Sequence, residues 1–305
     1  MTNSGFININ KKSGPTSHDI VAKIRKSLDR KVKVGHLGTL DPLAEGVLPI
    51  AIGSATRTFP YFLDLRKSYV VTMTFGKVTN TQDVTGKILE EKSPPSLDIN
   101  VCQGLLRHFL GKTLQSPPMF SALSVGGKRL YELAREGIEV DREKRSIEIY
   151  SIQVESISGP DLKFKIECSR GTYIRTLCHD LGKMHGAGGC MLSLLRTSLG
   201  PFRIEESLSL DDFESVSNLG TVNNILVSPA DALSHLPSMD FTDMDVAKLR
   251  QGISLDFFGN LIHFPEKDNF RMLDSNGKLV GIGKVVSSVP SSSEKNKIRP
   301  IKIFN

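Results

Sequence analysis

The chain has 305 residues, 39% of them hydrophobic and 24% charged, with a formal net charge of +6; that composition is ordinary for a globular protein with room for one large domain and one small one. The modest cationic excess suits a polyanionic partner. No run approaches the length of a membrane span, and the start, MTNSGFININKK, lacks the basic-then-apolar order of a signal peptide, so a cytoplasmic protein with no membrane attachment is expected. The 4 cysteines, Cys102, Cys168, Cys178 and Cys190, form no C-x-x-C pair, which predicts reduced, mostly buried thiols rather than a metal site or a disulfide framework.

Asn8 to Gly14 (NINKKSG) reads as a strand end entering a basic loop. Thr16 or Ser17 then caps a helix from about His18 to Leu28, with Ile20, Val21, Ile24 and Leu28 on one face and Lys23, Arg25, Lys26, Arg30, Lys31 and Lys33 leaving the rest basic. Such charges are ordinarily a solvated face; leading straight into a Gly-rich stretch, they also suit contact with phosphates. That stretch, Val34 to Arg57 (VGHLGTLDPLAEGVLPIAIGSATR), reads as loop, short apolar run, loop. Asp41-Pro42 is a turn-forming pair, and Asp41 as a simple turn cap is the plain reading. A carboxylate inside an apolar loop nevertheless costs several kcal/mol unless it is paired or used.

Tyr69 to Phe75 alternates as a strand, with Tyr69, Val71, Met73 and Phe75 on one face. Gly76 to Gly86 reads as a polar loop. Pro94 and Pro95 precede a helix predicted from about Leu97 to Leu110 and ended by Gly111. Within Gln115 to Gly137, Lys128, Arg129 and Arg135 form a basic side while Leu130 and Leu133 face inward. Leu162 to Cys168 alternates strictly and runs through Ser169-Arg170-Gly171 into a helix beginning near Thr172, with Ile174, Leu177 and Leu181 as its buried stripe. Arg175 then falls in a first helical turn, where the macrodipole opposes a cation and an anion is needed to answer it. Met191 to Phe202 has the character of a helical core segment on apolar content alone. From about Pro237 the composition shifts: a short helix (Met244–Gln251) precedes predicted strands at Asn260–Phe264, Phe270–Leu273, Leu279–Val286 and Ile298–Phe304, with Ser275-Asn276-Gly277 as a hairpin turn.

The run GHLGTLDPLAEGVLPIAIGSATR resembles the catalytic motif of bacterial tRNA pseudouridine-55 synthases, the TruB family, and further segments match in order: KSYV at residues 67–70, the 76–86 loop, QSPPMFSALSVGGKRLYELAREG at 115–137, CSRGTYIR at 168–175 and MLSLLRTSLGPF at 191–202. Two loop positions depart from the family pattern, Asn80 and Thr85 standing where aspartates are common, and Ser124 stands where lysine is frequent. The resemblance implies that Asp41 is the nucleophile, Arg175 its ion-pair partner, Tyr69 the aromatic platform under the target base, and Tyr173 and Leu195 parts of the pocket wall. It places His36 against the RNA loop. It implies an α+β fold, with a mixed, mainly antiparallel central sheet flanked by helices in a catalytic domain (1–236) and a small β-rich RNA-binding domain of the PUA type (237–305). The partner implied is the T-arm of tRNA, whose uridine 55 is isomerised with no cofactor and no metal, and a monomer is expected.

Breaking a uridine N-glycosidic bond and rejoining the base through C5 requires the base to leave the stack and enter a closed pocket. One nucleophilic carboxylate, a guanidinium to keep it ionised and aimed, and an aromatic wall satisfy that chemistry. Two other readings use the same residues. A non-catalytic RNA-binding protein shares the basic surface but has no use for Asp41, Tyr69 and Arg175 together. A hydrolase pairing Asp41 with Glu45 needs a carboxylate separation that the intervening Pro42 does not guarantee.

Overall fold

A computed structural model describes residues 4–28, 31–93, 96–257, 269–287 and 296–304. Its first strand, β1 (Gly5–Lys11), is followed by helix α1 (Ser17–Ser27). Thr16 caps that helix in a reciprocal box: its hydroxyl accepts from the Asp19 amide, and Asp19 accepts from the Thr16 amide. Strands β2 (Val34–His36) and β3 (Glu45–Ile52) follow, so the Gly-rich stretch read as loops around an apolar run contains two paired strands joined by a tight segment at 37–44. A 3-10 stretch (Gly53–Phe62) leads to β4 (Lys67–Phe75).

The predicted polar loop at 76–86 carries a short strand, β5 (Lys77–Thr79), paired with β6 (Ile88–Glu91). Helix α2 (Ile99–Arg107) is shorter than expected and gives way to β7 (Gly111–Gln115). A small hairpin, β8 (Ser124–Val125) and β9 (Lys128–Arg129), feeds helix α3 (Leu130–Arg135). Two long strands, β10 (Arg145–Ser158) and β11 (Asp161–Cys168), precede α4 (Ile174–His185), which ends on Gly186 in the left-handed conformation at φ 89°. Next come β12 (Gly189–Leu199) and β13 (Phe202–Arg203). The helical expectation for 191–202 is therefore corrected. The segment is a strand because both of its long edges are taken, by β4 on one side and β3 on the other, and this tertiary pairing overrides local apolar content.

The nine-stranded sheet runs β1-β3-β12-β4-β11-β10-β7, with β2 beside β3 and β13 beside β12. Every neighbouring pair is antiparallel except β3 and β12, which gives a mixed, mainly antiparallel sheet. Helices α1, α2 and α4 bury Ile20, Ile24, Cys102, Leu106, Ile174, Leu177 and Leu181 against one face. On the other face Phe6, Val47, Ala51 and Phe62 form a second core, in which Phe6 lies 5.3 Å from Phe62 and 5.9 Å from Phe202 between ring centroids. Covering both faces explains why β3 reads as an unbroken apolar run rather than an alternation.

After α5 (Leu210–Asn218) and α6 (Pro229–Ala232) the chain builds a separate five-stranded sheet, with α7 (Asp243–Arg250) packed beside it. Its order is Ser238–Asp240, Asn269–Leu273, Leu279–Ser287, Asn296–Ile303 and Leu255–Phe257. Gly277 turns the hairpin at φ 74°. The strand expected at 260–264, the Pro94-Pro95 break and Arg30 lie outside the described residues. Leu279, Ile282 and Phe304 of this β-rich part join Phe6 and Phe62 in the second core, and the Lys302 ammonium donates to the Arg57 carbonyl at 2.9 Å. No described helix is long and apolar enough to cross a membrane, and all four cysteines are free and buried.

Candidate active site

The 37–44 segment leaves the sheet between β2 and β3, and four side chains from elsewhere hold it, three by its backbone and the fourth by its carboxylate. The Ser17 hydroxyl donates to the Leu40 carbonyl at 3.0 Å and accepts from the Leu40 amide at 2.8 Å. The Arg196 guanidinium donates to the carbonyls of Gly38 (2.9 Å) and Thr39 (3.3 Å), and through Nε to Val47 (2.7 Å). The Lys11 ammonium donates to Lys12, Pro42 and Ala44 carbonyls at 3.0, 3.0 and 2.6 Å. Lys11, expected in a basic loop, is the wholly buried last residue of β1. Gly46 is required here: its φ is 98°, and a Cβ would sit 2.2 Å from the Arg196 carbonyl oxygen, so β3 and β12 could not approach with any side chain between them.

The fourth tie is Arg175. Its Nε donates to Asp41 Oδ2 at 2.8 Å, and its terminal nitrogens donate to the Thr81 and Phe120 carbonyls, each at 2.9 Å. The guanidinium side chain is 6% exposed and that of Asp41 40%, so the pair has a buried base and an open carboxylate end. The cation in the first turn of α4 is thus answered by an anion 134 residues away in sequence. Glu45 is engaged elsewhere, its Oε1 accepting from the Ser13 amide at 3.1 Å, so the partner of Asp41 is Arg175 and not a second carboxylate from its own loop.

A residue not singled out from sequence joins this pair. Asp83 is buried; its Oδ2 lies 3.8 Å from Arg175 Nε while Oδ1 accepts from Thr81 Oγ1, the Thr85 amide and Thr85 Oγ1 at 2.9, 3.0 and 2.5 Å. Its neighbour Gln82 has φ 64°, the one positive φ outside glycine among the described residues. The Thr176 hydroxyl donates to the Gln82 side chain at 2.7 Å, holding that conformation against α4. The polar 76–86 loop is therefore a clamp on the guanidinium. Its sequence signal was a single carboxylate between threonines, which reads as turn chemistry until Arg175 is placed beside it.

Tyr69 is buried on the α4 side of the sheet. Burial raises its phenol to about 12, with the Asp41 charge adding in the same direction and Arg196 opposing both. Tyr173 forms the N-cap position of α4 rather than its first turn; Gln115 brackets its backbone through bonds of 2.8 and 3.0 Å, and its phenol is raised by burial. His36, at the end of β2, is held below the usual imidazole range by burial and then by the Arg196 and His18 charges, and its Nδ1 is buried without a partner. Leu195 lies on β12 beside the residues that approach this group. It pairs with Val70 on β4 and Glu45 on β3, while Leu194 and Arg196 on either side alternate to the core face shared with Tyr69. A hollow of about 560 Å³ between Arg66, Ser68, Glu167, Thr197, Gly200 and Arg203, and another of about 420 Å³ between Arg25, Lys31, Lys33 and Thr56, do not include Asp41, whose partly exposed carboxylate is open to solvent.

Among known proteins, residues 25–174 match the model of the TruB family pseudouridylate synthase N-terminal domain, and residues 175–233 that of the tRNA pseudouridylate synthase B C-terminal domain. The chain is 40% identical to tRNA pseudouridine synthase B of Geobacter sulfurreducens over 99% of both chains. It is 39% identical to the Bacillus pumilus protein of the same name over 99% of this chain and 98% of that one. In structure it resembles a chain of a Cbf5-Nop10-Gar1 complex with a TM-score of 0.75 at 28% identity, covering 99% of this chain and 85% of the other. With this extent of identity along the whole sequence, the chain belongs to the TruB family of pseudouridylate synthases.

Proposed function

We propose that the protein isomerises uridine 55 in the T-loop of tRNA to pseudouridine, with Asp41 as the nucleophile. The observation that carries this reading is the 2.8 Å bond from a buried Arg175 to a partly exposed Asp41, in a fold whose relatives carry the name tRNA pseudouridine synthase B. A carboxylate so held presents one oxygen to Arg175 and keeps the other for a reacting carbon. The target base is flipped out of the RNA loop onto Tyr69. The bond from C1′ to N1 breaks, the base turns, and C5 forms the new bond to C1′ as its proton is lost. Asp41, Arg175 and Tyr69 act at this step, with Tyr173 in the wall.

His36 fits a contact with the RNA loop, because a partly open imidazole held neutral by burial and carrying an unpartnered Nδ1 suits stacking and hydrogen bonding to an unstacked base. Residues 1–236 form the catalytic domain and 237–305 an RNA-binding module, and the enzyme works in the cytoplasm, where tRNA is processed. Asp41→Asn tests the core of the reading. The amide keeps an acceptor for Arg175 and similar volume, so folding and tRNA binding are retained while conversion, followed by mass-spectrometric mapping of T-arm RNA, is abolished. Normal turnover by this variant removes Asp41 from the chemistry.

A further inference from the structure

Arg196 is the bulkiest fully buried side chain among the described residues, and no ion pair among those residues includes it. An arginine only donates, and three of its five N–H groups are met by backbone carbonyls of Val47, Thr39 and Gly38. Carbonyls satisfy hydrogen bonding without cancelling a unit charge. The uncancelled charge is felt nearby: it helps burial hold His36 down and bring Lys67 to about 8. A buried cation lacking a counter-charge is expensive to keep, which raises the question of what anion it serves.

The side chain directly opposite in the β4–β12 register is Tyr69. Both are buried, and cross-strand partners share a face. A cation that only donates thus faces a phenol oxygen that can accept, and its charge is felt there, opposing the rise in the phenol that burial causes. A phenol has one proton to give; beside a guanidinium that cannot accept, that proton is turned away from Arg196, and the Asp41 charge bears on the phenol. Burial keeps the phenol protonated at neutral pH, so a donor is present.

We propose that Arg196 is a positioning residue for the isomerisation, fixing the Tyr69 phenol as a hydrogen-bond donor to the negative charge that the base carries once it is detached from the sugar. The inference rests on the function proposed above. In the step concerned the C1′–N1 bond breaks, its electron pair leaves with uracil, and an Asp41 oxygen bonds to C1′. The uracil anion is stabilised by the Tyr69 hydroxyl, itself polarised by Arg196. C5 then attacks C1′ and displaces the carboxylate, and the C5 proton is exchanged for one at N1, so that the sum is an isomerisation. One guanidinium thereby joins the loop that carries the nucleophile, through Gly38 and Thr39, to the group that receives the leaving base.

A double-substitution cycle tests this. Wild type, Arg196→Met, Tyr69→Phe and the double variant are compared by single-turnover rate at saturating T-arm RNA, with RNA affinity and thermal unfolding measured in parallel. Each single change is expected to slow the chemical step by about 10²-fold, the usual effect of removing one preorganised donor, with little change in RNA affinity. The double variant is expected to fall far short of the product of the two single losses, because the part of the Arg196 effect that passes through Tyr69 is already gone and only its hold on Gly38 and Thr39 remains to lose. Losses that multiply to about 10⁴-fold overturn the proposal, because Arg196 would then act only on the loop. If Arg196→Met does not fold, Arg196→Lys replaces it, and its rate loss must shrink in the Tyr69→Phe background. A wild-type chain that makes no pseudouridine in any arm defeats the parent reading, an outcome visible before any variant is compared.

Discussion

Replacing Arg175 by lysine keeps the charge and removes the fork. The guanidinium makes three bonds in three directions, to Asp41, the Thr81 carbonyl and the Phe120 carbonyl, all between 2.8 and 2.9 Å. A single ammonium at the end of a flexible stem cannot meet all three from one position. If it follows Asp41, two part-buried carbonyls lose their donor, at about 1 kcal/mol each. If it follows the carbonyls, Asp41 loses a charge-assisted bond of about 1.5–3 kcal/mol and its aim. The transition state feels the second loss in full, and about 2.7 kcal/mol is 10²-fold in rate. Arg175→Lys is therefore expected to slow single-turnover pseudouridine formation by about 10²-fold while costing only about 1–2 kcal/mol of stability in urea unfolding. A variant with an unchanged rate would refute the argument. So would one whose rate loss is wholly accounted for by unfolded protein.

Burial of Lys11 gives a pH dependence with a defined sign. Its folded pKa, about 8, lies below the unfolded 10.5, so between those values the unfolded chain binds more protons and stability rises with pH, by at most about 1.4 kcal/mol per unit. Urea unfolding of wild type against Lys11→Met across this window should show the wild type gaining on the variant as pH rises, and a constant difference would contradict the assignment. Above pH about 8 the deprotonated amine also has one donor fewer for the Lys12, Pro42 and Ala44 carbonyls, so wild-type turnover should decline there. His36→Ala should weaken T-arm binding by about 1–3 kcal/mol, the usual worth of a base–aromatic stack, with an unfolding midpoint near that of wild type; a pure loss of thermal stability would make the histidine a packing residue.

How far the chain could be read from its residues depended on the range of the interaction concerned. Periodicities of 3.6 and 2 are local, so α1, β4, β11 and α4 were legible from their apolar spacing, and the cation in the first turn of α4 announced that it needed an anion. Gly-rich and two-face-buried segments carry no such period, and so β2, β3 and β12 became strands only through their neighbours. The same limit applied to side chains. Lys11 and Arg196 look like surface cations in the sequence, and both are buried because carbonyls 31 to 158 residues away are brought to them. Asp83 looked like a turn residue until Arg175 lay within 3.8 Å. Composition and motif order by themselves determined the family, the nucleophile candidate and its guanidinium partner. Tertiary structure alone decided what holds that carboxylate still, because a buried charge is tolerable only where distant parts of the backbone converge to solvate it.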